Sequence, residues 1–275
     1  GTPPDHNELS QKFSSVKTDH QDLVADGEDS EYLIFNAHDA HKNFVKDLQN
    51  SITATVDSSD SSANAVHLDS NWLPDPEHAC YKAKVRVDKV GSYSFTIKCN
   101  DVSVTGKDLI HGRGAEAISK IIAQPSTVAD NGASQSKIIF TPQDKFGCYP
   151  GFKNELSLVL YQSDKKTPSN DIKLLSGLRW SDADHAYIST VASGVTGQYY
   201  VEGRFNRQQI GQKGIFTPIT FSGPNETASS LDITPKSIVA DGKGQATITF
   251  IARAGSDVLR GIKGNLSFTA STEDG

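Results

Sequence analysis

Apolar and polar residues alternate along most of this chain in short runs. Residues 51–56 (SITATV), 81–87 (YKAKVRV) and 136–140 (SKIIF) are clear examples. An alternation of period two places every second side chain on one face of a strand, so one face is buried and the other is solvated. Gly, Asn, Asp and Ser residues separate these runs. The pattern predicts an all-β protein built from sandwiches.

A short turn motif divides the chain into repeats. Val24-Ala25-Asp26-Gly27 returns as Val128-Ala129-Asp130-Asn131-Gly132 and as Val239-Ala240-Asp241-Gly242. The first residues of these copies are 104 and then 111 positions apart. Asp and Asn can hydrogen-bond to the neighbouring backbone, and Gly accepts a positive φ, so the motif predicts a kink between two strands. A period near 100 residues is typical of a small β-sandwich domain.

Other landmarks recur in the same order within the first two repeats. Each repeat has a Trp, then a His-Ala pair, then a Gly-x-Tyr, then an Asn nine residues beyond that Gly. A Tyr placed in this way resembles the tyrosine corner of immunoglobulin-like sandwiches. The landmarks are Trp72, His78, Gly91 and Asn100 in the first repeat, and Trp180, His185, Gly197 and Asn206 in the second. Their closely matching offsets indicate a duplication.

These repeats predict the domain organisation. Residues 1–15 are a tail or lead-in strand, residues 16–110 and 115–222 are two immunoglobulin-like domains, and residues 228–275 are part of a third. Half a sandwich exposes an apolar face and unpaired strand edges. Either a longer chain continues the third sandwich or another chain completes it by adding strands, and the sequence leaves both alternatives open.

Two of the three cysteines are predicted to form a disulfide bond. Cys80 follows a His-Ala pair, as Tyr187 does in the second repeat, and Cys99 lies where the second repeat has Phe205. Both positions are therefore expected to face the core at the same level of two adjacent strands. A disulfide closing this loop would stabilise the domain by roughly 3 kcal/mol. Two buried free thiols are the alternative, because free cysteine is often buried.

One loop is unusually aromatic for a sandwich. Phe146, Cys148, Tyr149 and Phe152 fall within seven residues, and Cys148 has no predicted partner. Aromatic residues are over-represented at binding hot spots, so this loop is a candidate protein-binding loop. The alternative is that the aromatic side chains pack under the end of the domain.

Charge and hydropathy exclude two classes of partner. The formal net charge is −6, and the charges are scattered with no basic stripe, so we expect no nucleic-acid binding. No apolar run approaches the roughly 18 residues that a membrane helix needs, so we expect no membrane insertion of this segment.

No motif for catalysis or cofactor binding is found in the sequence. His38 and His41 flank Asp39 in a turn, but a zinc site needs further ligands, so we expect no metal. The stretch Gly112-Arg113-Gly114 is predicted to be a linker, since no strand–turn–helix pattern surrounds it. We therefore expect no cofactor, no catalytic residue and no enzymatic activity.

The order of these motifs resembles that of a known family. A strand, the Val-Ala-Asp-Gly kink, a second strand, an Asp-x-x-Gly loop (Asp144-Lys145-Phe146-Gly147), a Trp and a Gly-x-Tyr resemble the immunoglobulin-like repeats of intimin and invasin passengers. The first repeat has Asp39-Ala40-His41-Lys42-Asn43 in place of this loop, and the second has Cys148-Tyr149-Pro150 where the family usually has Asn-Pro. The resemblance implies an extracellular rod of sandwiches, exported by Gram-negative bacteria, that works by contact.

We therefore expect a secreted or surface-exposed bacterial protein of the adhesin-passenger type, which includes soluble exoproteins exported by a separate barrel. Its partner would be a host surface protein, or an envelope or secreted protein of the bacterium. A purely structural spacer that presents a distal tip is the alternative. An enzyme whose site assembles from residues distant in sequence is a third hypothesis.

Overall fold

The computed structural model describes residues 8–58, 63–206, 214–255, 257–259 and 266–272. These residues form strands and short 3-10 turns. The strands of the first part are β1 (Ser15–Thr18), β2 (Asp22–Val24), β3 (Glu31–Asn36), β4 (Ile52–Ser58), β5 (Val66–Leu68), β6 (Leu73–Asp75), β7 (Cys80–Val87), β8 (Gly91–Cys99) and β9 (Val102–Arg113). A 3-10 turn, Ala63–Ala65, precedes β5.

Fifteen further strands lie in the later part of the chain that the structure describes. They are β10 (Lys120–Gln124), β11 (Thr127–Ala129), β12 (Ser136–Thr141), β13 (Gln143–Asp144), β14 (Gly147–Cys148), β15 (Leu156–Tyr161), β16 (Ile172–Leu174), β17 (Arg179–Ser181), β18 (Ala186–Ser193), β19 (Gly197–Phe205), β20 (Ile215–Ser222), β21 (Ser230–Thr234), β22 (Thr247–Ile251), β23 (Arg253–Ala254) and β24 (Asp257–Val258). A second 3-10 turn, Pro150–Asn154, lies between β14 and β15.

The chain folds into two compact units. Among the described residues, the first unit comprises residues up to 118, residues 142–155 and residues 205–206. The second comprises residues 119–141 and 156–204 and the described residues from 214 onwards. Residues 142–155 lie inside the predicted second repeat, yet they fold with the first unit.

The first unit is a sandwich of two sheets. One sheet has the strand order β1-β3-β7-β5, with β6 also paired to β7, and the other has the order β2-β9-β8-β4. Alternate residues of β7 and β8 point between the sheets, and Tyr81, Tyr93, Phe95 and Ile97 are fully buried there. The alternation in the sequence is thus the alternation between the core and the solvent.

The second unit repeats this topology. Its sheets have the orders β10-β12-β18-β16, with β17 also paired to β18, and β11-β20-β19-β15. The short strand β11 runs parallel to β20, as β2 runs parallel to β9 in the first unit. An all-β sandwich fold is therefore confirmed.

The register of the strands is also the same in the two units. In each, an aliphatic residue, a Phe and a Tyr lie opposite one another on three neighbouring strands and face the core. These core rows are Val16–Phe35–Tyr81 in the first unit and Ile121–Phe140–Tyr187 in the second. The rows fix which residue of one unit corresponds to which residue of the other.

The predicted kink is present in all three copies of the turn motif. The side-chain oxygen of an Asp or Asn accepts two following backbone amides at 2.7–2.9 Å. The next residue is a Gly with φ between 73° and 75°, which a side chain would disfavour. The three pairs are Asp26-Gly27, Asn131-Gly132 and Asp241-Gly242.

Two small ribbons follow the sandwich of the second unit. In the ribbon β21–β22, Leu231 lies opposite Phe250 and Ile233 lies opposite Ile248, so four apolar side chains share one face. Leu231 is 58% exposed, and Ile233 and Ile248 are also exposed, so most of this face is open to solvent, while Phe250 is partly buried. In contrast, the hairpin β23–β24 is held by a small cluster, because Ala252, Ala254 and Leu259 pack with Ala129.

Candidate functional site

The candidate protein-binding loop is a tight hairpin followed by a 3-10 turn. Strands β13 and β14 pair through Gln143 with Cys148 and Asp144 with Gly147, and the turn then carries Phe152. Gly147 has a φ of 104°, which permits the sharp reversal of the chain. The hairpin belongs to the first unit.

The structure places the aromatic residues of this loop in packing contacts. The Phe152 side chain is fully buried, and its ring meets the Phe205 and Tyr149 rings edge-on, with centroids 5.4 and 5.1 Å apart. The Phe146 ring is stacked on the His111 ring at 4.3 Å. These rings therefore make packing contacts within the first unit, while half-buried Phe146, Cys148 and Tyr149 keep part of their surface exposed. Binding by this loop stays a prediction.

A buried arginine anchors the hairpin. Arg113, at the end of β9, is 4% exposed. Its Nε and Nη2 donate to the two carboxylate oxygens of Asp144 at 2.8 and 3.1 Å, which is a bidentate pair. Nη1 donates to Asp22 at 2.8 Å, and Nη2 also donates to the carbonyl of Gly147 at 3.0 Å. We call Arg113, Asp22 and Asp144 the Arg113 cluster.

Two aromatic rings and two backbone amides complete the surroundings of the Arg113 cluster. The guanidinium carbon lies 5.4 Å from the Phe146 ring centroid and 4.9 Å from that of Tyr149, within the range of cation–π attraction. The Asp144 carboxylate also accepts the amides of Gly114 and Phe146, at 3.0 and 2.8 Å. Burial opposes the charge on Arg113, but its hydrogen bonds to Asp144 and Asp22 outweigh this and raise its pKa.

Arg113 is a functional residue that the sequence did not predict, because Gly112-Arg113-Gly114 was expected to be a linker. The available signal was a charged residue enclosed by two glycines, shortly after the apolar pair Leu109-Ile110. Gly112 leaves no room for a side chain, since a Cβ there would lie 2.5 Å from the carbonyl oxygen of Lys89. The partners Asp144 and Asp22 are 31 and 91 positions away, so the sequence alone could not pair them.

The predicted Cys80–Cys99 disulfide is wrong in this structure, where both cysteines are buried free thiols. Along β8, Cys99 belongs to the core-facing series with Ile97. Along β7, Tyr81 is the core-facing residue, so Cys80 points to the opposite face of its sheet. The pairing rested on equating Cys80 with Tyr187, whereas the core rows show that Tyr187 corresponds to Tyr81.

The same one-residue offset is visible in the backbone. Ala79 and His185 both have a positive φ, 54° and 45°, at the turn that precedes β7 and β18. Cys80 therefore corresponds to Ala186. A shift of one residue along a strand moves a side chain to the other face of the sheet, which is why the pairing failed.

Cys80 and Cys99 are buried and Cys148 is half-buried. Burial raises the pKa values of Cys80 and Cys99, and it raises the pKa of Cys148 from 9.0 to about 11. A thiol becomes a nucleophile as the thiolate, so each of these shifts lowers reactivity at neutral pH.

The histidine turn of the first unit is organised around Asp39. This carboxylate is 2% exposed and accepts the backbone amides of His41 and Asn43 at 2.8 and 2.9 Å. Its role here is to shape the turn. In the part of the chain that the structure describes, no three His, Cys, Asp or Glu side chains are grouped to hold a metal ion.

A cavity of about 650 Å³ lies in the second unit, between β11 and the hairpin β23–β24. Val128, Ala129, Val258 and Leu259 form part of its wall. Thr127, Ser134 and Gln135 are its polar members, so its described lining offers no titratable side chain.

Within the described ranges, no helix has the length and apolar character needed to span a bilayer.

Comparisons with known proteins identify similar structures only. No protein-family model matches the chain, and no curated protein matches its sequence. The Escherichia coli adhesin FdeC is 18% identical over 89% of this chain and 75% of its own, with a TM-score of 0.35. InvD of Yersinia pseudotuberculosis is 17% identical over 89% of this chain and 70% of its own, with a TM-score of 0.35.

Invasin, a bacterial integrin-binding protein, is 14% identical over 89% of this chain and 48% of its own, with a TM-score of 0.38. The matched structures are immunoglobulin-like domains of intimin/invasin-type adhesins, the family that the sequence motifs resemble. At these identities and TM-scores, they give no information on what this chain binds.

Proposed function

We propose that this chain is part of a secreted or surface-exposed bacterial protein of the adhesin-passenger type, which works by contact with a protein partner. The proposed immunoglobulin-like domains span residues 16–110, 115–222 and 228–275. The observation that supports this most is the repetition of one sandwich, with the same topology and the same core rows, in two units. Repeated sandwiches offer sheet faces, strand edges and loops as their working surface.

The ribbon β21–β22 is one candidate contact surface. On its apolar face Leu231, Ile233 and Ile248 are exposed, while Phe250 at one end packs against the cluster that holds the hairpin β23–β24. A two-stranded ribbon is marginal alone and gains stability when a second layer covers its apolar face. We infer that strands from a continuing chain or from another chain cover it.

Capture on the immobilised chain tests the proposal. A detergent extract of host-cell membranes and an extract of bacterial envelope are passed over the chain in parallel. We expect a protein to be retained from one of them and to be displaced by excess soluble chain. If the soluble chain displaces no protein from either extract, the contact role is contradicted, and a structural spacer becomes the better account.

A further inference from the structure

The two units differ on the outer face of their first sheets. Next to each core row lies a row that points away from the core: on the two outer strands it contains the residue after the core residue, and on the antiparallel middle strand it contains the residue before the Phe. In the first unit this lysine row is Lys17–Ile34–Lys82, and in the second unit the isoleucine row is Ile122–Ile139–Ile188. The common register makes the two rows equivalent position by position.

The isoleucine row is open to solvent, whereas the apolar member of the lysine row is not. Ile34 is only 4% exposed between its two lysines, whose aliphatic stems can cover apolar surface while their charges stay in water. Ile122 is 48% exposed, and Ile139 and Ile188 are partly exposed. The second unit therefore carries an uncovered aliphatic row on a face that the first unit keeps charged.

The isoleucine row is continuous. Neighbouring strands lie about 4.8 Å apart, so the Cα atoms of Ile122 and Ile188 are roughly 10 Å apart with Ile139 between them. Single exposed apolar residues are common on protein surfaces, but contiguous apolar surface marks interaction sites. In the first unit, the exposed Leu73 lies opposite Lys82, so a charge separates it from Ile34.

Cations surround the isoleucine row. Arg179 lies opposite Ile188 in the register, Lys120 is two residues before Ile122, and Lys173 lies opposite Ala192 on the same face. All three cations are exposed. The carboxylate of Asp184 accepts a hydrogen bond from Lys137 at 2.9 Å, so it is already neutralised. This face is basic in a chain whose formal net charge is −6.

We propose that the isoleucine row is a docking site for a protein partner that presents a short aliphatic strip flanked by carboxylates. The aliphatic centre excludes water, and the basic rim attracts and orients the acidic flanks. A second copy of this chain is the poorer occupant, because pairing the two faces would set cations against cations. This inference rests on the proposed contact role and gives it a location and a partner chemistry.

A peptide pair and a charge-matched set of variants test the proposal. The probe is a short monomeric peptide in which isoleucines at alternate positions form one face of a strand and glutamates lie at both ends, and its control has lysine in place of glutamate. Binding to the full chain is measured by titration calorimetry. We expect the glutamate peptide to bind and the lysine peptide to bind at least tenfold more weakly.

The double variant Ile122→Lys and Ile188→Lys recreates the Lys–Ile–Lys row that the first unit already tolerates, so it should fold. We expect it to bind the glutamate peptide at least tenfold more weakly, although it carries two extra positive charges. Leu73→Lys, an exposed apolar-to-lysine change in the first unit, is the matched control and should leave binding unchanged. The variant Lys120→Glu and Arg179→Glu should reverse the preference between the two peptides.

Three results from the peptide titrations and from the chain alone would overturn the proposal. The first is failure of the wild-type chain to bind the glutamate peptide, and the second is equal or stronger binding by the Ile122→Lys, Ile188→Lys variant. The third is self-association of the wild-type chain that this variant abolishes, which would make a second copy the occupant. The capture experiment with membrane and envelope extracts separates this site from the contact role. If the Ile122→Lys, Ile188→Lys variant still captures the same protein, the contact role remains and only this site is removed.

Discussion

At the scale of single residues, the structure depends on how buried polar groups are satisfied. Arg113 and Asp144 are both buried, and their charges are tolerated because each donor or acceptor has a partner of the opposite kind. The loop that the sequence marks as a binding loop is held by this pair. Phe146 and Tyr149 pack around this ion pair, and the pair itself could not be predicted because its two residues are distant in sequence.

We expect Arg113→Ala to destabilise the first unit by about 3 kcal/mol, because it leaves the buried Asp144 carboxylate without its cation. Arg113→Lys should recover only part of this loss, since an ammonium group lacks the bidentate fork. Urea unfolding followed by fluorescence measures both values. The control is Lys84→Ala, at an exposed position, which should change the free energy of unfolding little. If Arg113→Ala lowers the free energy of unfolding by less than about 1 kcal/mol, the role of the Arg113 cluster is contradicted.

The thiols give a second prediction at this scale. Because the pKa of Cys148 is raised from 9.0 to about 11, its thiolate fraction at pH 8 should be about 100-fold below that of an unperturbed thiol. We expect slow reaction with a thiol reagent in the folded chain and three reactive thiols per chain after denaturation without reductant. One reactive thiol in the denatured chain would show that Cys80 and Cys99 are in fact bonded.

At the scale of strands and sheets, the sequence predicted what is local. The alternation and the Asp-Gly kinks depend on neighbouring residues, and both are confirmed. The face on which a residue lies depends on the phase of the alternation. The prediction was wrong by one residue, so it placed Cys80 in the core, whereas the structure has it on the outer face. The isoleucine row was not predicted for a related reason. Its three residues lie on three different strands, and only the pairing register of those strands brings them together.

The open ribbon gives a prediction at this scale. Leu231→Thr with Ile233→Thr keeps the β-propensity and removes exposed apolar surface, so the free energy of unfolding should change by less than about 0.5 kcal/mol. Fluorescence of a dye that binds apolar surface should fall. The matched control is Val85→Thr, at a fully buried position, which should cost roughly 1–3 kcal/mol. Destabilisation by the ribbon variant comparable to that of Val85→Thr would contradict this and show that the face is already packed within this chain.

At the scale of the whole molecule, repetition is the main feature. Two units share one topology and one register, but they present different outer faces, charged in the first and aliphatic with a basic rim in the second. The repetition could be predicted from the spacing of the turn motif and the later landmarks. The difference between the outer faces could not, because it appears only once the register assigns each residue its counterpart.

The central claim is that this chain works by contact with a protein surface. The most direct test is a binding isotherm of the fluorescently labelled chain on intact host cells and intact bacteria, recorded before and after mild protease treatment of the cells. We predict saturable binding to one of the two cell types that unlabelled chain competes away and that protease treatment abolishes. Binding that does not saturate on either cell type, or that survives removal of the surface proteins, would contradict the claim.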